Sequence, residues 1–170
     1  MNVPEKTSAS CLLLGPAFLS KKSRVRLAPA LARELERLIL EENCRAFRLC
    51  DGGSFSQLAG FTVLNLKEKY PEVCLFFDLP SSPVRKVPRR YHSNLAALSA
   101  LLASCDYFHF LAPVPYLGMK KAAVCYSIHQ CDLCLSYDGF SFFYPRRRFA
   151  RDACAFSDVP LLRLPRPPKA

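Results

Sequence analysis

The chain has 170 residues, 51% hydrophobic and 22% charged, with 24 lysines and arginines against 14 acidic residues. That length suits one domain with a substantial core and is too short for two, and the composition excludes a disordered chain. No apolar run reaches the roughly 18 residues of a membrane-spanning helix, and a net charge of +10 turns attention to anionic partners.

Taken in chain order, strand and helix patterns alternate. "CLLLG" (11–15) reads as a strand, and "PALARELERLILEE" (29–42) as a helix with Pro29 at its first position. "RAFRLC" (45–50) is a strand, and 54–69 a helix with Phe55, Leu58, Ala59, Thr62, Val63 and Leu66 on one stripe. "VCLFFDL" (73–79) has the continuous apolar character of a strand buried on both faces. Ser93 suits the cap of a helix carrying Leu95, Leu98, Leu101 and Leu102. The strand "YFHFLA" (107–112) and a weaker helix over 116–130 follow. "CDLCLSY" (131–137) is a strand, about 146–156 a helix, and "VPLLRL" (159–164) the last strand. Such alternation requires right-handed crossovers and a parallel sheet covered on both sides. The expected class is α/β: a single Rossmann-like, doubly wound domain over residues 10–165 with a mainly parallel sheet. A polar tail (1–9) and a short end (166–170) flank it.

"CLLLGPAFL" has the apolar character of a short signal core. It contains Pro16, runs into Lys21-Lys22 and lacks a small-x-small cleavage site, so a cytoplasmic location is expected. Nine cysteines, an odd number without framework spacing, fit reduced thiols. Cys131 and Cys134 form a CxxC, but within a strand positions three apart point to opposite faces. They are expected to be buried thiols, with no metal and no cofactor.

The positive charge falls mainly in strand-to-helix connections: Lys21, Lys22, Arg24 and Arg26; Arg85, Lys86, Arg89 and Arg90; Lys120 and Lys121; and Arg146, Arg147, Arg148 and Arg151. Helix-to-strand connections carry Glu41, Glu42, Glu72, Asp106 and Asp158, with Arg45 and Lys69 in the minority. A parallel sheet sends every strand-to-helix loop to one edge, where helix N-termini add partial positive charge. A basic rim on the ligand side and a mixed or acidic opposite edge are therefore expected.

Gly52-Gly53 lie between the second strand and second helix, where backbone amides approach an anion without a Cβ in the way. The pair lacks the GxGxxG spacing of a dinucleotide fingerprint and the lysine of a phosphate loop. The longer string "GGSFSQLAGFTVLNLKEKYPEVCLFFDLP" resembles the SLOG superfamily in its YpsA-like branch. The likeness continues through "SNLAALSALLASCDYFHFLAPVPYLGMKKAAVCYSIHQCDLCLSYDG" and "FARDACAFSDVPLLRL", nearly the whole chain. It implies a Rossmann-like fold that binds or processes nucleotides or nucleotide-derived ligands. Three ligand-contacting segments depart from the family pattern. The family's Gly-x-Asp is replaced by Ser54-Phe55-Ser56, its Arg-Asn pair by about Ala123-Val124, and its Gly-Gly-Thr turn by about Pro145-Arg146-Arg147. Proline has no amide to offer, although neighbouring arginines grip phosphate through side chains. The resemblance thus implies a divergent member with an altered site.

The expected phosphate-binding set is Asp51, Gly52, Gly53, Ser54, Ser56, Arg146 and Arg147. For catalysis, the strand-end edge offers Asp51, Ser54, Ser56, Asp78, Ser81, Ser82 and Asp138. Strand-end aspartates commonly cap the next helix, and His129 has only Asp132 as an acidic sequence neighbour. No Ser-His-Asp order, HExxH or PGGxGTxxE signature occurs, so a non-enzymatic role is expected. Two roles compete. One is a sensor or regulator binding a nucleotide-like phosphate ligand, for which Gly52 and Gly53 to valine should abolish binding and spare the fold. The other is a scaffold for protein partners, motivated by the aromatic cluster "GFSFFYPRRRF". Nucleic acid is the less expected partner, since no recognisable module accompanies the basic residues.

Overall fold

The computed structural model describes residues 8–81, 92–112, 117–137 and 145–164, with the main chain alone at 81, 92–94 and 145–148. Among the described residues, six strands form one sheet in the order β4-β3-β2-β1-β5-β6. They are β1 (Ala9–Leu14), β2 (Cys44–Leu49), β3 (Cys74–Ser81), β4 (Tyr107–Ala112), β5 (Leu133–Ser136) and β6 (Leu161–Arg163). All five pairings are parallel. Five helices of the described residues alternate with them: α1 (Lys21–Glu41), α2 (Ser54–Lys69), α3 (His92–Ser104), α4 (Met119–His129) and α5 (Pro145–Phe156). This is the single Rossmann-like α/β domain that the alternation predicted.

The chain steps outward from β1 to β4, then crosses back to place β5 and β6 on the other side of β1. One face of the sheet, with Leu13, Phe47, Leu49, Leu75, Phe77 and Leu135, packs against apolar residues of α1, α2 and α3. The other face buries Leu12, Cys50 and Cys134 with Ala123 and Ile128 of α4 and Cys154 of α5. The crossovers leave β1 and β5 toward opposite ends of the sheet, so the carboxyl ends of these two neighbours mark the switch point where open α/β sheets form a crevice.

Helix α1 starts eight residues before the expected Pro29. The Ser20 hydroxyl accepts the Ser23 amide at 3.1 Å and caps the first turn. Leu27, Leu31, Leu35, Leu38 and Ile39 then bury one stripe, which already begins ahead of the proline. Pro29 therefore sits inside the helix, where it removes one amide from the ladder. The CxxC also needs correcting: Cys131 precedes β5 and only Cys134 lies in it. All nine cysteines are free and five are buried. Burial pushes the Cys131 thiol up to about 12. A hydrogen bond with Cys154, together with burial, raises Cys134. Both thiols therefore remain protonated at neutral pH.

Candidate functional site at the carboxyl edge

A parallel sheet followed by helices puts the N-termini of α1, α2, α4 and α5 on one edge, so the sequence-predicted residues can be placed on it. Asp51, Gly52, Gly53, Ser54 and Ser56 come together in the β2–α2 turn. Asp51 Oδ1 accepts the Gly53 amide at 2.8 Å and the Ser56 hydroxyl at 2.6 Å. The Ser54 amide donates to the Ala17 carbonyl at 2.8 Å. The Gln57 side-chain amide donates to the Gly52 carbonyl at 3.0 Å. The Gly53 and Ser54 amides expected to cradle phosphate thus already serve the turn itself, and Asp51 holds the start of α2. Arg146 and Arg147 fall in the first turn of α5, and their side chains lie outside the described residues.

The glycines answer to packing. A Cβ on Gly53 would stand 2.7 Å from Ala17 Cα, and one on Gly52 2.7 Å from Leu98 Cδ2. The expectation that valines here spare the fold is therefore overturned, since main chain blocks position 53. Gly15, at the end of β1, has a similar role. Its missing Cβ leaves room for the Phe55 ring, whose Cγ would otherwise lie 2.2 Å away. Phe55 is fully buried and stacks on Tyr137, just after β5, with ring centroids 6.1 Å apart and planes within 8°. Beside the switch point, then, the chain packs its own aromatic pair.

Charge is divided between the two edges. Near the amino edge, Arg37 pairs with Glu34 and Glu41, Arg45 with Glu72, Lys67 with Asp106, and Lys69 with Glu36. At the carboxyl edge, Lys21, Lys22, Arg24 and Arg26 of α1 and Lys120 and Lys121 of α4 have no acidic partner among the described residues. Arg24 also has its Nε buried without a hydrogen-bond partner. Lys121 Nζ lies 5.4 Å above the Phe149 ring. Residues 82–91, with Arg85, Lys86, Arg89 and Arg90, are outside the described residues, as are Asp138, Phe140, Phe142, Phe143 and Tyr144.

One polar cluster was not foreseen. Asp78 is 0% exposed and receives Arg48 Nη1 on both carboxylate oxygens, at 3.0 and 2.9 Å. The Ser127 hydroxyl of α4 donates to it at 2.9 Å, and His109 Nδ1 of β4 lies 3.4 Å away. The Arg48 guanidinium also covers the Phe76 ring at 4.6 Å, and Phe76 stacks on Tyr107. At a strand end Asp78 suits a helix cap or catalytic acid; its partners instead tie three strands to α4. His109 is half-exposed and meets Tyr126 edge-on. Ser127 donates to the carboxylate and is fully buried, so the three do not form a nucleophile–base relay. The sequence signal was a charge inside each of two adjacent apolar strands, at positions sharing one face.

No helix among the described residues is long and apolar enough to cross a membrane. No family model matches the chain, and no curated protein matches it in sequence. Among solved structures, it is similar to DNA processing protein A from Helicobacter pylori, characterised for its single-stranded DNA binding mode. The TM-score is 0.56 at 16% identity, covering 92% of this chain and 65% of that one. Muconate lactonizing enzyme from Mycobacterium smegmatis aligns with a TM-score of only 0.35 at 13% identity, over 92% of this chain and 46% of that one. The chain thus spans about 65% of the length of DNA processing protein A, with which it shares a Rossmann-like fold.

Proposed function

We propose that the chain is a non-catalytic binding protein for a nucleotide or nucleotide-derived phosphate ligand, held at the carboxyl edge of the sheet in a sensing or regulatory role. The partition of charge carries this proposal. Cations near the amino edge are neutralised by carboxylates, whereas those opening α1 and α4 are left for a partner from outside. Helix N-termini converge on the same edge and favour an anion there. Because the Gly53 and Ser54 amides are engaged, side chains do the gripping: Lys21, Lys22, Lys120 and Lys121, with Arg146 and Arg147 as the proposed α5 contribution. The turn Asp51–Ser56 shapes the floor. The SLOG-like segments and the likeness to a DNA-binding protein of this fold are compatible with a phosphate-bearing ligand. A divergent, YpsA-like relationship is part of the same proposal.

A thermal-shift screen against nucleotides and ADP-ribose relatives tests it, since saturating ligand raises stability by mass action, by about 2.7 kcal/mol at a hundredfold excess over Kd. We expect a shift with at least one phosphate-bearing compound and none with the parent nucleoside. No shift across the panel overturns it.

A second role, as a scaffold acting through protein contacts, is favoured by one observation: Phe55 and Tyr137 fill space beside the switch point. Under that account the panel is silent and the chain retains a protein partner when the basic residues are neutralised. Nucleic acid stays the less favoured partner. A gel-shift series in rising salt reveals it as a steep loss of affinity.

A further inference from the structure

The two edges of the sheet are protected very differently. β6 is three residues long, follows Pro160 and contains Arg163, all features that blunt an edge against pairing. β4 has six residues, "YFHFLA", with no lysine, arginine, acid or proline. Its aromatic rings remain open to solvent on both faces, Tyr107 at 62%, Phe108 at 51% and Phe110 at 37%. Among the described residues nothing pairs with the outer side of β4, and a long, apolar edge without a blunting charge or proline is a template for another strand.

We propose that β4 pairs antiparallel with β4 of a second copy of this chain, joining two sheets into one of twelve strands across a twofold axis at His109. The register follows from the main chain. The Asp106 amide donates to the Leu75 carbonyl, so residue 106 turns toward β3. Peptide direction alternates along a strand, and Tyr107, His109 and Leu111 therefore turn their N–H and C=O groups outward. Centred on His109, antiparallel pairing matches Tyr107 with the second copy's Leu111 and His109 with itself, and bonds every outward group. Phe108 then lies opposite the second copy's Phe110, and Phe110 opposite its Phe108, at the closely spaced non-bonded positions. Within one chain these rings already meet edge-on with centroids 6.0 Å apart. The pairing thus collects four phenylalanines in one cluster, a favourable cross-strand combination.

Charge and area agree with a self-partner. Antiparallel pairing points the two carboxyl edges in opposite directions, which separates the unpaired cations that would otherwise repel. The exposed ring surface amounts to about one and a half aromatic side chains, roughly 300 Å² per copy at about 200 Å² each. Standard interfaces bury about 800 Å² per partner. With main chain, His109 and the half-exposed Tyr126 added, a concentration-dependent dimer at the lower end of interface size results. The inference is independent of the anion site.

Analytical ultracentrifugation of the full chain over a wide concentration range, with Phe108→Lys and the double variant Phe108→Lys/Phe110→Glu, tests it. Wild type should reach twice the chain mass and Phe108→Lys remain monomeric. The double variant should dimerise again, because each lysine then faces the second copy's glutamate. Circular dichroism melts identify a variant that has lost its fold, and the double variant carries the decision in that case. A wild type that stays monomeric leaves the edge to some other chain and overturns the proposal. A dimer surviving Phe108→Lys is formed elsewhere and does the same, as does a folded double variant that stays monomeric.

Discussion

Replacing Arg48 by methionine tests whether the β2–β3–α4 cluster is held together by compensation of a buried charge. The change keeps much of the apolar stem but removes the guanidinium that meets both oxygens of Asp78 and covers the Phe76 ring. Asp78 has no exposure, so water cannot replace what is lost, and Ser127 and His109 are its remaining partners. Removing one member of such a pair costs about 3–5 kcal/mol, against a total stability of about 5–15 kcal/mol for a domain. At about 2–4 °C per kcal/mol for this chain length, Tm falls by roughly 6–20 °C. The double variant Arg48→Met/Asp78→Leu removes both charges and should recover most of the loss, because an apolar replacement for a buried pair is often neutral. Urea denaturation of wild type, single and double variants gives the coupling directly. If Arg48→Met costs under about 1 kcal/mol, or the double variant is as unstable as the single, charge compensation is not what holds this cluster.

Three further outcomes are expected. Phe55→Ala should cost about 3–5 kcal/mol in denaturant unfolding, because the ring is buried against Gly15 and Tyr137. A cost below about 1 kcal/mol would mean that the ring does not fill the space. Asp51→Ala should cost about 1–3 kcal/mol, since it strips the Gly53 amide and Ser56 hydroxyl of their acceptor. An unchanged midpoint would show the turn to be self-supporting. Asp106 provides a pH test. Burial pushes its carboxyl up, but Lys67 and the Leu75 amide outweigh burial and hold it below the ordinary range. A depressed carboxyl contributes stability above its unfolded value of about 3.9, and that contribution is lost as pH falls through the folded value. Wild type should therefore lose stability more steeply than Asp106→Asn below about pH 4, and parallel curves would refute the assignment.

The layered fold was legible because burial imposes its period on each element. "VCLFFDL" needs cover on both faces, and the stripe from Leu27 to Ile39 needs one sheet face. The start of α1 was missed because Pro29 is also suited to a first helical position. Ser20, whose hydroxyl caps the first turn, opens a polar run that carries no apolar stripe to mark it as helix. The glycine turn was located correctly, but its chemistry depends on where Ala17 returns in space. A sequence does not show that Ala17 takes the Ser54 amide, or that Gly15 makes room for Phe55. Likewise, Arg48 and Asp78 are 30 positions apart and meet only through the β2–β3 register. An unmatched charge in each of two neighbouring buried strands was the available clue. The exposed aromatics of β4 gave none, since the same letters in a central strand would be core.

The most direct test of the central claim is a magnetic-resonance titration mapping amide shifts while a nucleotide that stabilises the protein is added at low salt. The account predicts perturbations concentrated at residues 20–26, 51–56 and 118–122, which fade as salt is raised and vanish when Lys21, Lys22, Lys120 and Lys121 are alanine. Perturbations clustered instead around Glu36, Arg45 and Glu72 at the amino edge, or unchanged binding in the quadruple variant, would contradict it.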